Sequence, residues 1–365
     1  MSDIKTVAII GVGIGRSHIA EGYARLRDQF DVQVICDLSE ERLATVGDEF
    51  EVARRTNSFD EVRAMDNIDI VDICTPPTLH FPQVMAALAA GKQVICEKPL
   101  VGSLEQVDAV IAQEKVSRGM LMPVFQYRFG DGIEQAKAII DAGIAGKPYV
   151  GTVETLWTRG PDYYAVPWRG KWATELGGVL MTHAIHQHDL FTYLMGDIKR
   201  LFGRVATRVN NIEVEDCVTA SLELESGALG SFTASLGSVD EITRLRFAFE
   251  NVTFESDHAA YNPGDKVWKI LPRNPETAAK IDALLKDWVH VPSRFQTQMA
   301  RFHDALTGKA PLPVTSADSR RALELVTAFY QSSTTHQDVE LPLASDHPKY
   351  KSWVPAEFSA RSEVN

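Results

Sequence analysis

The stretch Val7-Ala8-Ile9-Ile10-Gly11-Val12-Gly13-Ile14-Gly15 decides the reading of this chain. Four apolar residues run without alternation and stop at a glycine. Such a run suits a strand covered on both faces, the usual state in a parallel sheet. The glycines that follow permit a tight turn into a helix and let backbone N–H groups approach a diphosphate at the helix N-terminus. Asp37 stands just past the next apolar run, Val32-Gln33-Val34-Ile35-Cys36, and 22 residues after Gly15. A carboxylate there accepts hydrogen bonds from an adenosine ribose and repels a 2′-phosphate, so the expected cofactor is NAD rather than NADP. Gly11, Val12, Gly13, Ile14, Gly15 and Asp37 are the cofactor-binding residues expected from this part. A purely structural strand-to-helix turn is the alternative. The spacing departs from G-x-G-x-x-G, because the third glycine falls at Gly15 rather than at Arg16. The turn must be tighter, or the helix packing must tolerate Arg16.

Working outward, short apolar runs recur at Ile68 to Cys74 and Val94-Ile95-Cys96. Helix patterns lie between the runs at Ser17 to Arg27, Ser39 to Phe50 and Phe81 to Ala90. This alternation implies βαβ units and a doubly wound parallel sheet over residues 1–123. Longer strand patterns follow at Tyr149 to Trp157, Ile198 to Val209, Cys217 to Glu225, Ala228 to Leu236 and Thr243 to Phe254, with a hairpin turn at Ser226-Gly227. Ser293 to Leu306 and Ala317 to Ser333 read as helices. The fold class expected is α/β, with a second α+β domain at 124–345 built on a large, open, mostly antiparallel sheet. A loose tail is expected after Leu343, and 346–365 stand outside both domains.

With 365 residues, 45% of them apolar and 24% charged, the chain has the balance of an ordinary globular protein. Its net charge of −12 repels phosphate backbones, so no nucleic-acid partner is expected. No apolar run reaches the roughly 18 residues of a membrane span, and the start Met1-Ser2-Asp3-Ile4-Lys5 lacks the layout of a secretory signal. The four cysteines, Cys36, Cys74, Cys96 and Cys217, form no C-x-x-C pair, which fits reduced thiols in the cytoplasm. Three of them end predicted strands, and small buried side chains explain them better than a catalytic thiol.

Cys96-Glu97-Lys98-Pro99 closes another predicted strand. A lysine at the sheet's carboxyl edge, beside a cationic nicotinamide and partly dehydrated, would have its pKa lowered toward that of a general base. The same position also suits a surface lysine at a strand end. Glu97-Lys98-Pro99 after the glycine turn, with Thr75-Pro76-Pro77 and His80 between, resembles the Gfo/Idh/MocA oxidoreductase family. So do Gly177-Gly178 with His186 and Asp189, Arg301-Phe302 to Pro313, and Ala317-Asp318 to Tyr330-Gln331-Ser332, so the resemblance spans about residues 5 to 343. It implies an N-terminal Rossmann domain, a C-terminal substrate and oligomerisation domain, and a homodimer or homotetramer. It implies catalysis by Lys98, contact of Glu97 with the nicotinamide ribose, and a cofactor crevice lined by Thr75, Pro76 and His80. By the same likeness Arg128 lies near the nicotinamide, and Trp168-Arg169 reach over cofactor and substrate.

At 100° per residue, Thr182, His186 and Asp189 fall on one helix face within roughly 60°. His186 could then move a proton, with Asp189 orienting its imidazole. Many relatives carry aspartate where Thr182 stands, and His183 is a partial replacement. His183, His186 and His188 also cluster in sequence, but His188 turns away from the others, so no metal is expected. Trp157, Tyr163, Tyr164, Trp168 and Trp172 suit either a core or a stacking wall for a sugar ring. Tyr127, Tyr163, Arg169, Thr182, His183 and His186, with Lys98, are the expected substrate-binding residues. The function expected is NAD-dependent oxidation of a CH–OH group: an aldose at C1 to its aldonolactone, with similarity to the pentose-oxidising members, including apiose dehydrogenases. Oxidation of inositol or another polyol, a non-catalytic NAD-binding sensor, and a lyase or glycosidase-like use of recycled NAD are the alternatives.

Overall fold

The computed structural model describes residues 4–359, leaving the first three residues of the chain start and the last six of the tail outside it. Among these residues the chain forms two compact units. One runs to Phe125 and adds Arg294–Arg320; the other takes Gln126–Ser293 and the chain from Arg321. Sequence reading placed 294–320 in the second domain; here it packs with the first unit.

The first unit carries β1 (Lys5–Ile10), β2 (Phe30–Cys36), β3 (Arg54–Thr56), β4 (Ile70–Ile73), β5 (Gln93–Cys96) and β6 (Leu121–Pro123). They pair in the order β3-β2-β1-β4-β5-β6, every pair parallel. Val7, Ala8, Ile9, Ile70, Val71, Val94 and Ile95 have no exposed surface, because helices cover both faces of such a sheet. The strand order reverses between β1 and β4, which opens a crevice at their carboxyl ends. Helices start where the sequence supplies a cap: Ser39, Ser58 and Ser103 each accept a backbone N–H three residues on. The first helix starts at Val12 instead of Ser17, since the glycines themselves enter the first turn.

The second unit holds β7 (Pro148–Thr158), β8 (Ile198–Ala206), β9 (Cys217–Leu224), β10 (Leu229–Ser235), β11 (Gly237–Phe249), β12 (Val252–Glu255), β13 (Lys269–Pro272) and β14 (Val339–Glu340). Their order is β13-β12-β11-β7-β10-β9-β8-β14, antiparallel except for β7 with β10. Burial alternates along β9 and β10, as in a sheet with one covered face. The helix Ile185–Met195 lies on that face. A Cβ at Gly151 of β7 or Gly230 of β10 would fall 2.6–2.7 Å from the Phe191 ring. The predicted strand Thr243 to Phe254 is two strands folded back at Glu250-Asn251.

The tail is docked as far as the description reaches. Trp353 is buried, donates its indole N–H to Leu176 O (2.6 Å) and stacks with Tyr330. Among the described residues no helix is long and apolar enough to cross a membrane.

His188 is buried in this sheet's core, its ring packed against those of Phe232 (4.7 Å) and Phe329 (5.5 Å). Burial lowers its pKa to about 3. The unfolded imidazole titrates near 6.5, so below that pH the unfolded chain binds the extra proton. Stability is therefore intact above pH 6.5 and is lost as pH falls toward 3, by about 2 kcal/mol between pH 6.5 and 5. His188→Phe should flatten this acid limb in denaturant titrations; an unchanged slope would show that His188 does not contribute to it.

Candidate active site

One group of candidate residues lies at the carboxyl edge of the parallel sheet. Gly11 ends β1 with φ +88°, and a Cβ there would meet Cys74 O at 2.7 Å. Only glycine fits that close approach. A Cβ on Gly15 would strike the Ile9 side chain (2.6 Å), so Gly15 is the residue that lets helix and strand pack. Arg16 instead points outward and pairs with Glu49, which resolves the irregular spacing. At Gly13 a Cβ would meet nothing within 4 Å. The helix Val12–Glu21 begins without a side-chain cap at Gly11. Beyond the Val12 N–H, which Asp37 takes (3.0 Å), a helix start beside two glycines fits a diphosphate, and Ile14 stays 42% exposed beside it.

Asp37 follows β2 and is nearly buried. Its carboxylate accepts the N–H groups of Val12 (3.0 Å) and Ser39 (2.8 Å) and pairs with Arg42 (2.6 Å). Burial pushes its pKa up, but Arg42 and these N–H groups hold it below the usual carboxylate range. The charge that would exclude a 2′-phosphate is thus secured.

Thr75 and Pro76 follow β4, and Thr75 donates to Gln83 (2.6 Å). His80 is buried, with its two ring nitrogens 2.7 Å from Pro99 O and Thr75 O. It ties the loop after β4 to the loop after β5, and burial lowers its pKa despite both bonds. Glu97 follows β5, is buried, and accepts the Lys98 N–H (3.0 Å). Burial raises and His18 and Lys98 lower the Glu97 pKa, leaving it below its ordinary value.

Beneath Glu97, beside the expected buried Cys74, lie three buried residues that sequence reading missed: His18, Tyr23 and Asp72. The cysteines carry no activated thiol. Burial raises Cys36 to about 11 and drives Cys74 and Cys96 higher still.

A second group of candidate residues lies within the other unit. Sequence reading put Thr182, His186 and Asp189 on one helix, but the helix is broken. Val179–Thr182 ends at His183, where Ala184 N–H reaches back five residues to Val179 O (2.8 Å), and Ile185–Met195 begins anew. His186 and Asp189 still share a helix; Thr182 stands on the preceding turn. Glu215 anchors that turn, accepting the N–H groups of Gly178 (3.0 Å) and Leu180 (3.0 Å) and the Tyr330 hydroxyl (2.8 Å). A Cβ at Gly178 would fall 1.7 Å from Glu215 O, which is why glycine stands there. Burial raises Glu215 to about 7. Nothing in the sequence around Glu215 signals a partner 37 residues away.

Thr182 donates to Gly178 O (2.7 Å), so its oxygen must accept from His183 Nδ1 (2.6 Å). The His183 ring lies edge-on to Trp157 (5.3 Å) and beside Tyr163 (5.7 Å). Arg169 covers Tyr163 (3.9 Å) and Trp168 (4.5 Å), and Arg159 covers Trp157 and Tyr163 (each 5.2 Å). His186 is buried with its ring 4.5 Å from Tyr127. Asp189 was expected to orient His186. Its two oxygens receive Nε (2.7 Å) and Nη2 (2.5 Å) of buried Arg128, the residue expected near the nicotinamide. This pair clamps the turn Gln126–Arg128, and with it Tyr127, to the histidine helix.

Residues 5–125 match a family model described as an oxidoreductase family with an NAD-binding Rossmann fold, and residues 133–255 match the GFO/IDH/MocA C-terminal domain. The chain is 29% identical to the myo-inositol 2-dehydrogenase of Thermotoga maritima over 61% of this chain and 66% of that protein. It is 24% identical to the D-apiose dehydrogenase of Rhizobium rhizogenes over 85% and 90%. The crystal structure of the WlbA dehydrogenase from Bordetella pertussis in complex with NADH and UDP-GlcNAcA superposes with TM-score 0.82 at 26% identity, covering 94% of this chain and all of that one. Both units answer to models of one family, and the chain belongs to the Gfo/Idh/MocA oxidoreductases, with an NAD-binding Rossmann domain.

Proposed function

We propose that the protein oxidises an aldose at its anomeric carbon to the aldonolactone with NAD+. The observation that carries this reading is the end of β5: buried Glu97 binds the Lys98 N–H and so holds the lysine at the sheet's ligand-binding edge. Lys98 takes the hydroxyl proton of the substrate, and His186 assists. Bound NAD+ supplies the acceptor for the hydride. Thr182, His183, Tyr127, Tyr163 and Arg169 contact the sugar, whose apolar C–H face suits the Trp157 and Tyr163 rings. Similarity to the apiose dehydrogenase supports a pentose. Similarity to the inositol dehydrogenase supports a second reading, oxidation of a ring secondary alcohol.

An aldose deuterated at C1 separates the two. Deuterium should appear in the reduced cofactor; retention of the label in the product would contradict oxidation at C1.

Asp37 gives this reading its cofactor preference. Asp37→Ser removes the repelling carboxylate and leaves the Arg42 guanidinium, now paired with it, to meet a 2′-phosphate. The NADP-to-NAD ratio of kcat/KM should rise about 10- to 100-fold, each tenfold being about 1.4 kcal/mol. An unchanged ratio would remove Asp37 from cofactor choice.

A further inference from the structure

His18 occupies a position that the mechanism above does not use. It lies on the helix that starts at the glycine turn and has no exposed surface. Its Nδ1 is 2.8 Å from Asp72 Oδ2, and its Nε2 is 3.1 Å from Glu97 Oε1. Asp72, on β4, also receives the Tyr23 hydroxyl (2.9 Å) and the Cys74 thiol (3.5 Å). Glu97, after β5, receives the Lys98 N–H. A carboxylate that accepts several donors is held ionised, and an ionised carboxylate only accepts. Both ring nitrogens of His18 therefore face acceptors, and both must carry hydrogen. The Phe295 ring packs 4.3 Å from the imidazole and closes it from water.

We propose that His18 is a positioning residue: an imidazolium bridge between Asp72 and Glu97 that ties the diphosphate-binding helix to the Glu97–Lys98 strand end. The Asp72 charge fixes the ring, the ring fixes the Glu97 carboxylate, and Glu97 fixes the Lys98 main chain. The cofactor-binding turn and the lysine are thereby placed by one continuous charged chain, before any ligand arrives. Burial disfavours the charged ring, but the Asp72 carboxylate holds its pKa well above the ordinary histidine value, in accord with the geometry. The inference rests on the assignment of Glu97 and Lys98 to the cofactor and substrate.

A double-mutant cycle on NADH binding tests it, read by cofactor fluorescence with His18→Gln, Glu97→Gln and the pair together. His18→Gln should weaken binding about 10- to 100-fold alone and less than about threefold when Glu97 is already Gln. Equal costs in both backgrounds would make His18 mere packing and overturn the proposal. Because binding is read rather than turnover, the cycle stays decisive even if no sugar is oxidised; only an active Lys98→Met variant would strike the underlying assignment. Should His18→Gln fail to fold, the wild-type protein with ¹⁵N-labelled histidine decides. The His18 ring, its resonance assigned apart from that of His80, should keep both nitrogens protonated at pH 8, where ordinary histidines are neutral. A neutral ring there would overturn the proposal. So would a stoichiometric metal ion, for which His18, Asp72 and Cys74 present atoms within 4.8 Å of one another.

Discussion

Lys98→Met lowers turnover about 10²- to 10⁴-fold, the contribution of a positioned proton-transfer group, and leaves NADH binding within a few-fold of wild type. Methionine keeps an apolar stem of similar length and removes only the ammonium. The glycine turn, Asp37 and Glu97 are untouched, so the cofactor's phosphate and ribose contacts survive. Steady-state kinetics with fluorescence titration of NADH separate the two quantities. Near-normal turnover would take Lys98 out of the chemistry. Loss of NADH binding would make Lys98 a cofactor residue and no general base.

The second large effect is on stability. Asp189→Ala leaves the Arg128 guanidinium buried without the carboxylate that now receives its Nε and Nη2. Removing one partner of a buried pair costs about 3–5 kcal/mol, because the remaining charge stays desolvated. For units of this size that corresponds to a fall in Tm of roughly 10 °C. Tyr127, adjacent to Arg128, would lose its fixed place against His186, so kcat should fall with stability. A variant as stable as wild type would show that the turn Gln126–Arg128 is held by other contacts.

The elements legible in the sequence are those whose cause is local. The run ending at Gly11, the helix that Ser39 opens, and the Ser226-Gly227 turn each act over a few residues. The long helix near the end was legible for the same reason, its apolar period continuing across Ser316–Thr335. The misreadings have equally specific causes. In Thr243 to Phe254 the pattern continues through Glu250-Asn251, so two strands looked like one. The first helix absorbs Gly13 and Gly15 because they serve the turn, against their low helix propensity. The wheel drawn through Thr182, His186 and Asp189 assumed a continuous helix, while the Glu215 anchor and the wide turn at Ala184 break it. Partners distant in sequence left no local signal. His18 meets Asp72 and Glu97 across 54 and 79 residues, and Arg128 meets Asp189 across 61. The segment Arg294–Arg320 rejoins the first unit after seven of the eight strands of the second sheet, and no composition shift announces it.

In the proposed reaction this chain moves a hydride from a sugar hydroxyl carbon to NAD+. The most direct test incubates the purified protein with NAD+ and a panel of pentoses, hexoses, inositols and sugar acids, following the absorbance of the reduced cofactor. Net NADH formation with one substrate group, in step with oxidised product, is the result predicted here. Tight NADH binding with no reduction across the panel, or product formed without net NADH, would contradict it.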